Sequence, residues 1–352
     1  MTNQTEQSQK SGNNSINIQI HNNGLSLSET QELVKKEVEE KVSNLLSDNL
    51  IRLREEALAC ANSRANEFAQ IFFDKLTKLS QSVLNQVTNN LKNPSIQMSI
   101  LEAQKGYIKN GTQDKLELLS SLLKDKVVES NNTLKNYLID DAIVVVPKLT
   151  KEQIDFLTCI MIINTTTPKV TDFISFKNLV LDVLVSVTQN IKISDNDLSY
   201  LSQLGCLENN LFQARFGLYE YLVDRYKGLF AAGFDKTDLN SDILDKLPPK
   251  ILIPCLNNTN KHQIGYLNEE VLGKELKKYN FSSDEIAMIK KYFNKVLSKE
   301  QIKIKIEELE PRMSDISTLL DRYEHIFITP LGILIAITNY REKFKKNISW
   351  DF

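Results

Sequence analysis

Side chains that bind metals or carry redox chemistry are scarce in this sequence, with three histidines and four cysteines among 352 residues. His21, His262 and His325 show no His-Glu-x-x-His spacing and have no cysteine close by, which argues against a zinc hydrolase. Cys60, Cys159, Cys206 and Cys255 lie roughly 50 to 100 residues apart, so none forms the close pair that a zinc site or a redox dithiol requires. Reduced thiols packed in a cytoplasmic protein are the expectation. No Gly-x-Ser-x-Gly elbow occurs, and no cysteine has a local nucleophile signature. Gly228 and Gly233 have the spacing of a phosphate loop, but Phe234 and Asp235 stand where Lys and Ser/Thr would hold phosphate and magnesium.

Long apolar runs are missing too. Cys159 to Ile163, Leu179 to Val187 and Ile333 to Ile337 are each shorter than the roughly 20 residues that cross a bilayer. Met1 to Ser15 is polar, without the apolar centre of a secretory signal. Charge of one sign is lacking as well: 43 basic side chains face 45 acidic ones, and about one net negative charge falls on each side of residue 150. No global field draws the chain to nucleic acid or to an anionic membrane. These absences lead us to expect a cytoplasmic, non-enzymatic protein with no metal, no cofactor and no membrane span.

What the sequence does contain is amphipathic helix. Between Leu25 and Asn93 there is neither glycine nor proline, Ser26-Leu27-Ser28-Glu29 has capping-box form, and Pro94 closes the run. Apolar or small residues recur every three or four positions, at Val34, Val38, Val42, Leu46, Leu50, Leu53, Ala57, Ala61, Ala65, Phe68, Phe72, Leu76, Leu79, Val83, Val87 and Leu91. Two readings stay open: a very long helix that associates like a coiled coil, or two helices folded into an ordinary bundle with a break near Ser47-Asp48-Asn49. Steps of four outnumber steps of three, so a strict heptad is not specified. Ala57, Ala61 and Ala65 permit a close helix approach.

Ahead of this run, Ile16-Asn17-Ile18-Gln19-Ile20 alternates as a half-buried strand does, and a lone strand needs a partner. The expected oligomer interface comprises Ile16, Ile18, Ile20, Val34, Val38, Leu50, Ala57, Ala61, Ala65 and Phe68. The expected partner is the chain itself, with another protein as a second candidate.

Further helices are expected over Ser95 to Leu101, Leu116 to Val128 and Leu134 to Val146, with Gly106 to Gly111 as a break and Pro147 as a domain boundary. Thr150 and Gln153 have the spacing of a reciprocal cap. The second half reads as helices over Phe173 to Ile191, Asp195 to Leu204, Leu211 to Phe230, Asn268 to Lys278, Ser283 to Leu297 and Lys299 to Leu309. The stretch from Leu247 to Gly265 reads as a loop. A short strand is expected at His325 to Ile328, and Thr329-Pro330 opens a closing helix that runs to about Phe344. The expected division is a tail at 1–15, an oligomerisation region and helical bundle at 16–147, a mainly helical domain at 148–346 and a tail at 347–352.

Asp140-Asp141 is a carboxylate pair that more often faces solvent or caps a helix than holds a metal. Arg215, Tyr219 and Arg225-Tyr226 read as a structural network with Glu220 and Asp224. Lys290, Lys291 and Lys295 form a basic face that would serve nucleic-acid binding, although Glu300, Glu307 and Glu308 follow it.

Three stretches resemble the Lpo/Vpar family of uncharacterised bacterial proteins: Asn17-Ile18-Gln19-Ile20 with its long helix, Leu101 to Tyr107, and Asp141-Ala142 through Pro147-Lys148-Leu149-Thr150. That resemblance implies no chemistry. Ile328-Thr329-Pro330-Leu331-Gly332 is similar to the ending of abortive-infection-type proteins. It implies a winged-helix-like C-terminal domain and a scaffold or sensor role in bacterial conflict or phage defence. The alternative is a nucleic-acid-binding regulator acting through that domain.

Overall fold

The structure is a computed structural model and describes residues 27–129, 133–165, 168–189, 191–210 and 217–346. The expected strand at Ile16, Ile18 and Ile20 lies outside these residues, as do the Ser26 cap and Arg215. The chain divides into two compact units, Met1–Arg64 and Ala65–Phe352.

Helix α1 (Leu27–Thr77) runs unbroken for 51 residues. It passes through the expected break, where Asn49 Oδ1 accepts from Arg52 at 3.5 Å. It stops at Lys78–Ser80, and Ser80 in extended conformation begins α2 (Gln81–Asn90). Helix α3 (Pro94–Asn110) starts where Asn93 accepts a hydrogen bond from Ser95 N at 2.9 Å. It continues through Gly106, which we expected to break it. A Cβ at Gly106 would lie 2.4 Å from Pro147 Cγ, so this glycine permits a close crossing rather than a turn.

Helices α4 (Gln113–Val128), α5 (Thr133–Val145) and α6 (Lys151–Thr165) follow. A single 3-10 turn at Val146–Lys148 joins the last two. The reciprocal cap is present: Thr150 N donates to Gln153 Oε1 at 3.0 Å, and Gln153 N donates to Thr150 Oγ1 at 3.2 Å.

Next come α7 (Phe173–Phe176), a π-turn at Lys177–Leu181, α8 (Asp182–Thr188), α9 (Asp195–Gln203), β1 (Leu207–Asn209) and α10 (Leu218–Arg225). A smaller core, around Phe234, Ile251, Leu272 and Ile289, is built from α11 (Ser241–Lys246), β2 (Leu252–Cys255), β3 (Asn258–Ile264), α12 (Glu269–Leu276) and α13 (Ser283–Phe293). The expected loop at Leu247 to Gly265 is therefore largely a hairpin, antiparallel with Leu252 opposite Ile264 and Ile253 opposite Gln263. The outer residues of β3 are polar and exposed, so its sequence carries no strand periodicity.

Helices α14 (Lys299–Leu309) and α15 (Met313–Asp321) lead to β4 (Ile326–Ile328) and α16 (Pro330–Phe344). Strand β4 pairs antiparallel with β1, with Leu207 opposite Ile328. Helix α16 is buried along Leu331–Thr338, as expected of a helix that is apolar all round. It packs against α4 and α5, which precede Pro147, and against α6, which follows it. The boundary expected near Pro147 thus falls inside one continuous core. The coarse expectation of a mainly helical chain with little strand holds. No helix among the described residues is long and apolar enough to cross a membrane.

Candidate interaction surfaces

Among the residues of the Met1–Arg64 unit, Leu50 is 65%, Ile51 58%, Leu53 52% and Leu58 54% exposed. At 3.6 residues per turn these four side chains and Ala57 fall within an arc of about 160°, with Arg54 inside it. Of the expected interface residues, Val34, Val38, Ala61 and Ala65 are partly buried and Ala57 is exposed. Phe68 corrects the expectation: it is 1% exposed inside the chain's own core, its ring 6.1 Å from that of Tyr107. The stripe that Phe68 shares with Phe72 and Leu76 is satisfied within the Ala65–Phe352 unit, where Tyr107 donates to Glu67 at 2.6 Å and Gln104 to the Ala65 carbonyl at 3.3 Å.

The basic face is neutralised in part. Lys290 pairs with Glu269 at 3.0 Å, Lys299 bonds Glu220, and Lys305 stands 4.7 Å over the Phe173 ring. Lys291 and Lys295 are exposed. The residues of the expected network on α10 turn to other partners: Tyr219 donates to Glu307 at 2.7 Å, the Arg225 guanidinium lies 5.1 Å over Tyr221, Glu220 bonds Lys299, and Asp224 pairs with Lys227 at 3.5 Å. Burial and the neighbouring Glu307 raise the Tyr219 phenol above its ordinary range.

Asp140, itself partly exposed, belongs to a triad with the buried Lys126 and Ser99 rather than a carboxylate site. Lys126, 3% exposed, bonds Asp140 and lies 2.8 Å from Ser99 Oγ, while Ser99 donates to Asp140 at 2.6 Å. A second network gathers at the end of α16. Arg341 bonds Asp125, Lys343 reaches Asp155 at 3.3 Å, and Lys75 contacts both Glu117 and Glu342, at 2.8 and 3.0 Å. No group of three or more His, Cys, Asp or Glu side chains is placed to hold a metal among the described residues.

Among the open cavities of the Ala65–Phe352 unit are two lined by residues of α10. One, of about 530 Å3, runs between α10, α14 and α15, with Leu218, Val223 and Ile302 beneath a rim that mixes Glu220, Asp224 and Asp321 with Lys227, Lys299 and Lys303. The other, of about 570 Å3, opens between the larger and the smaller core, between Val170 and Tyr226 on one side and Ile253 and Tyr266 on the other. Sequence reasoning missed both, because their linings come from segments far apart in the chain.

A family model matches residues 33–352, most of the chain. The chain belongs to that family. The match is consistent with an uncharacterised Vpar-type family, and it starts beyond Asn17–Ile20, one of the stretches that carried the resemblance. It shows no similarity to abortive-infection-type proteins. No curated protein and no solved structure matches the chain.

Proposed function

We propose that this protein is a non-enzymatic scaffold or sensor that self-associates through the N-terminal part of α1. The observation that carries this reading is the exposure of Leu50, Ile51, Leu53 and Leu58 on one glycine-free helix. Four large apolar side chains within about three turns expose more contiguous apolar surface than scattered surface residues do, and that surface marks an interaction site. The arc of about 160° is wider than the seam of a two-stranded coiled coil and fits a bundle of three or more helices. A role in bacterial conflict or phage defence rests on the Ile328–Gly332 resemblance alone.

Light scattering tests the assembly. The full chain should give a multiple of its 40.3 kDa mass at micromolar concentration, and the double substitution Leu50→Glu, Leu53→Glu should return it to a single mass. A single mass for the unaltered chain overturns the reading.

The second reading is a nucleic-acid-binding regulator that uses a winged-helix-like arrangement of the β2–β3 hairpin with α12 and α13. The exposed Lys291 and Lys295 on and beside α13 favour it. Such binding weakens steeply with salt because phosphate contacts release counterions. Affinity for DNA or RNA that ignores salt, or that survives Lys291→Glu with Lys295→Glu, removes it.

A further inference from the structure

The cavity between the two cores carries a charge pattern that self-association does not use. Its volume of about 570 Å3 lies in the range of small-molecule sites, ~300 to 1,000 Å3. Among the described residues, the charged ones that line it are Lys169 and Arg225, and no carboxylate lines it. The acids that open α12 are engaged elsewhere, Glu269 with Lys290 at 3.0 Å and Glu270 with Lys274 at 2.5 Å. The rest of the lining is mainly apolar or aromatic, with Leu256 and Val271 at 43% and 48% exposure on its rim. The cavity at α10, α14 and α15 is the contrast, since there carboxylates balance the lysines.

The cleft is also pre-formed. Gly228 N donates to the Leu267 carbonyl at 3.1 Å, and a Cβ at Gly228 would lie 2.0 Å from the Tyr266 carbonyl oxygen. The two walls therefore meet at a point where only glycine fits. Gln263, 2% exposed, ties the wall again, donating to the Gly228 carbonyl at 2.9 Å and accepting from Leu256 N at 2.8 Å. Arg225 is held over Tyr221 at 5.1 Å and donates from one nitrogen to the Asn164 carbonyl at 3.4 Å, so its guanidinium is oriented before any ligand arrives.

We propose that this cleft binds a small carboxylate with an apolar body. The carboxylate lies against Arg225 and Lys169, where paired donors of a guanidinium match its two oxygens. The apolar body lies between Val170 and Tyr226 on one side and Ile253 and Tyr266 on the other. This binding is independent of self-association and supplies the small-molecule input that a sensor needs.

Isothermal titration of the full chain with decanoate, and with decylamine as a cation of the same length, tests the assignment. Decanoate should saturate at one molecule per chain, with decylamine weaker by about tenfold or more, which corresponds to ~1.4 kcal/mol. Lys169→Glu and Val271→Glu change exposed side chains and should each weaken decanoate by about tenfold with an unchanged melting temperature. Lys303→Glu, at the other cavity, should leave decanoate binding as it was. Absence of saturable decanoate binding overturns the proposal, as does equal affinity for the amine, unchanged affinity in either cleft variant, or loss of binding in Lys303→Glu.

Discussion

Burial alone would raise the Glu342 carboxyl, but hydrogen bonds from Ser121, Lys75 and Lys345 outweigh it and hold the group at about 2, against an ordinary value of 4.5. A carboxylate whose pKa falls on folding stabilises the native state above its unfolded pKa. That contribution is lost as pH falls from 4.5 through about 2. Glu342→Gln should therefore lower the unfolding midpoint at neutral pH and flatten the acid side of the stability profile over that window. An acid profile identical to that of the unaltered chain would contradict the network described at the end of α16. Residue-scale signals of this kind were only partly legible in the sequence. The ending Ile328-Thr329-Pro330-Leu331-Gly332 stood out, and the structure supplies its physical reason. Thr329 Oγ1 accepts from Gly332 N at 3.2 Å and donates to the Gly205 carbonyl at 2.6 Å. Pro330 occupies the first helical turn, where no N–H is needed. Gly332 leaves room for the Cys206 carbonyl, which would lie 2.2 Å from a Cβ. The partners of Glu342 were not legible, because Lys75 and Ser121 are more than two hundred positions away.

Glycine inside a helix has opposite consequences in two elements. In α3, Gly106 faces Pro147, and alanine there would gain about 1 kcal/mol of helix propensity but push a Cβ to 2.4 Å from a ring carbon. In α12, Gly273 has nothing within 4 Å of its would-be Cβ. Gly273→Ala should therefore raise stability by about 0.5 to 1 kcal/mol, whereas Gly106→Ala should lower it, as read from denaturant midpoints. The same sign for both substitutions would contradict this account of α3. Elements with a chemical start signal were readable from the sequence: the Thr150–Gln153 pair, the Thr329-Pro330 start and the uninterrupted α1. Helix α15 was not, since it begins at Arg312 with no side-chain cap. Strand β1 was not legible either. Its three residues, Leu-Glu-Asn, pair with a strand more than a hundred positions away and carry too short a pattern to see.

At the scale of the whole molecule, the sequence conveyed the mainly helical character and the long first helix. It did not convey where the chain divides. A proline at 147 looked like a boundary, but α16 returns from the far end of the chain to pack on both sides of it. Contacts of that sequence separation leave no local trace. The stripe that starts on α1 likewise reads as one pattern over Val34 to Leu91, yet it breaks between α1 and α2, and its later part, including Phe68, Phe72 and Val87, is buried by the chain itself. Around Leu50 and Leu53 the earlier part is exposed, and that is the surface we propose for another copy.

The thiols offer a direct probe of that surface. Cys60 is exposed on α1, while Cys159, Cys206 and Cys255 are buried, and burial pushes the Cys206 thiol up to about 12. A thiol-directed spin label should therefore mark Cys60 alone in the folded protein. Dipolar coupling between labels on separate chains is the measurement that most directly tests self-association through α1. The account predicts intermolecular coupling at Cys60 in the unaltered chain and its loss in the Leu50→Glu, Leu53→Glu variant. Labelled chains that show no intermolecular coupling, or coupling that persists in the variant, would contradict it.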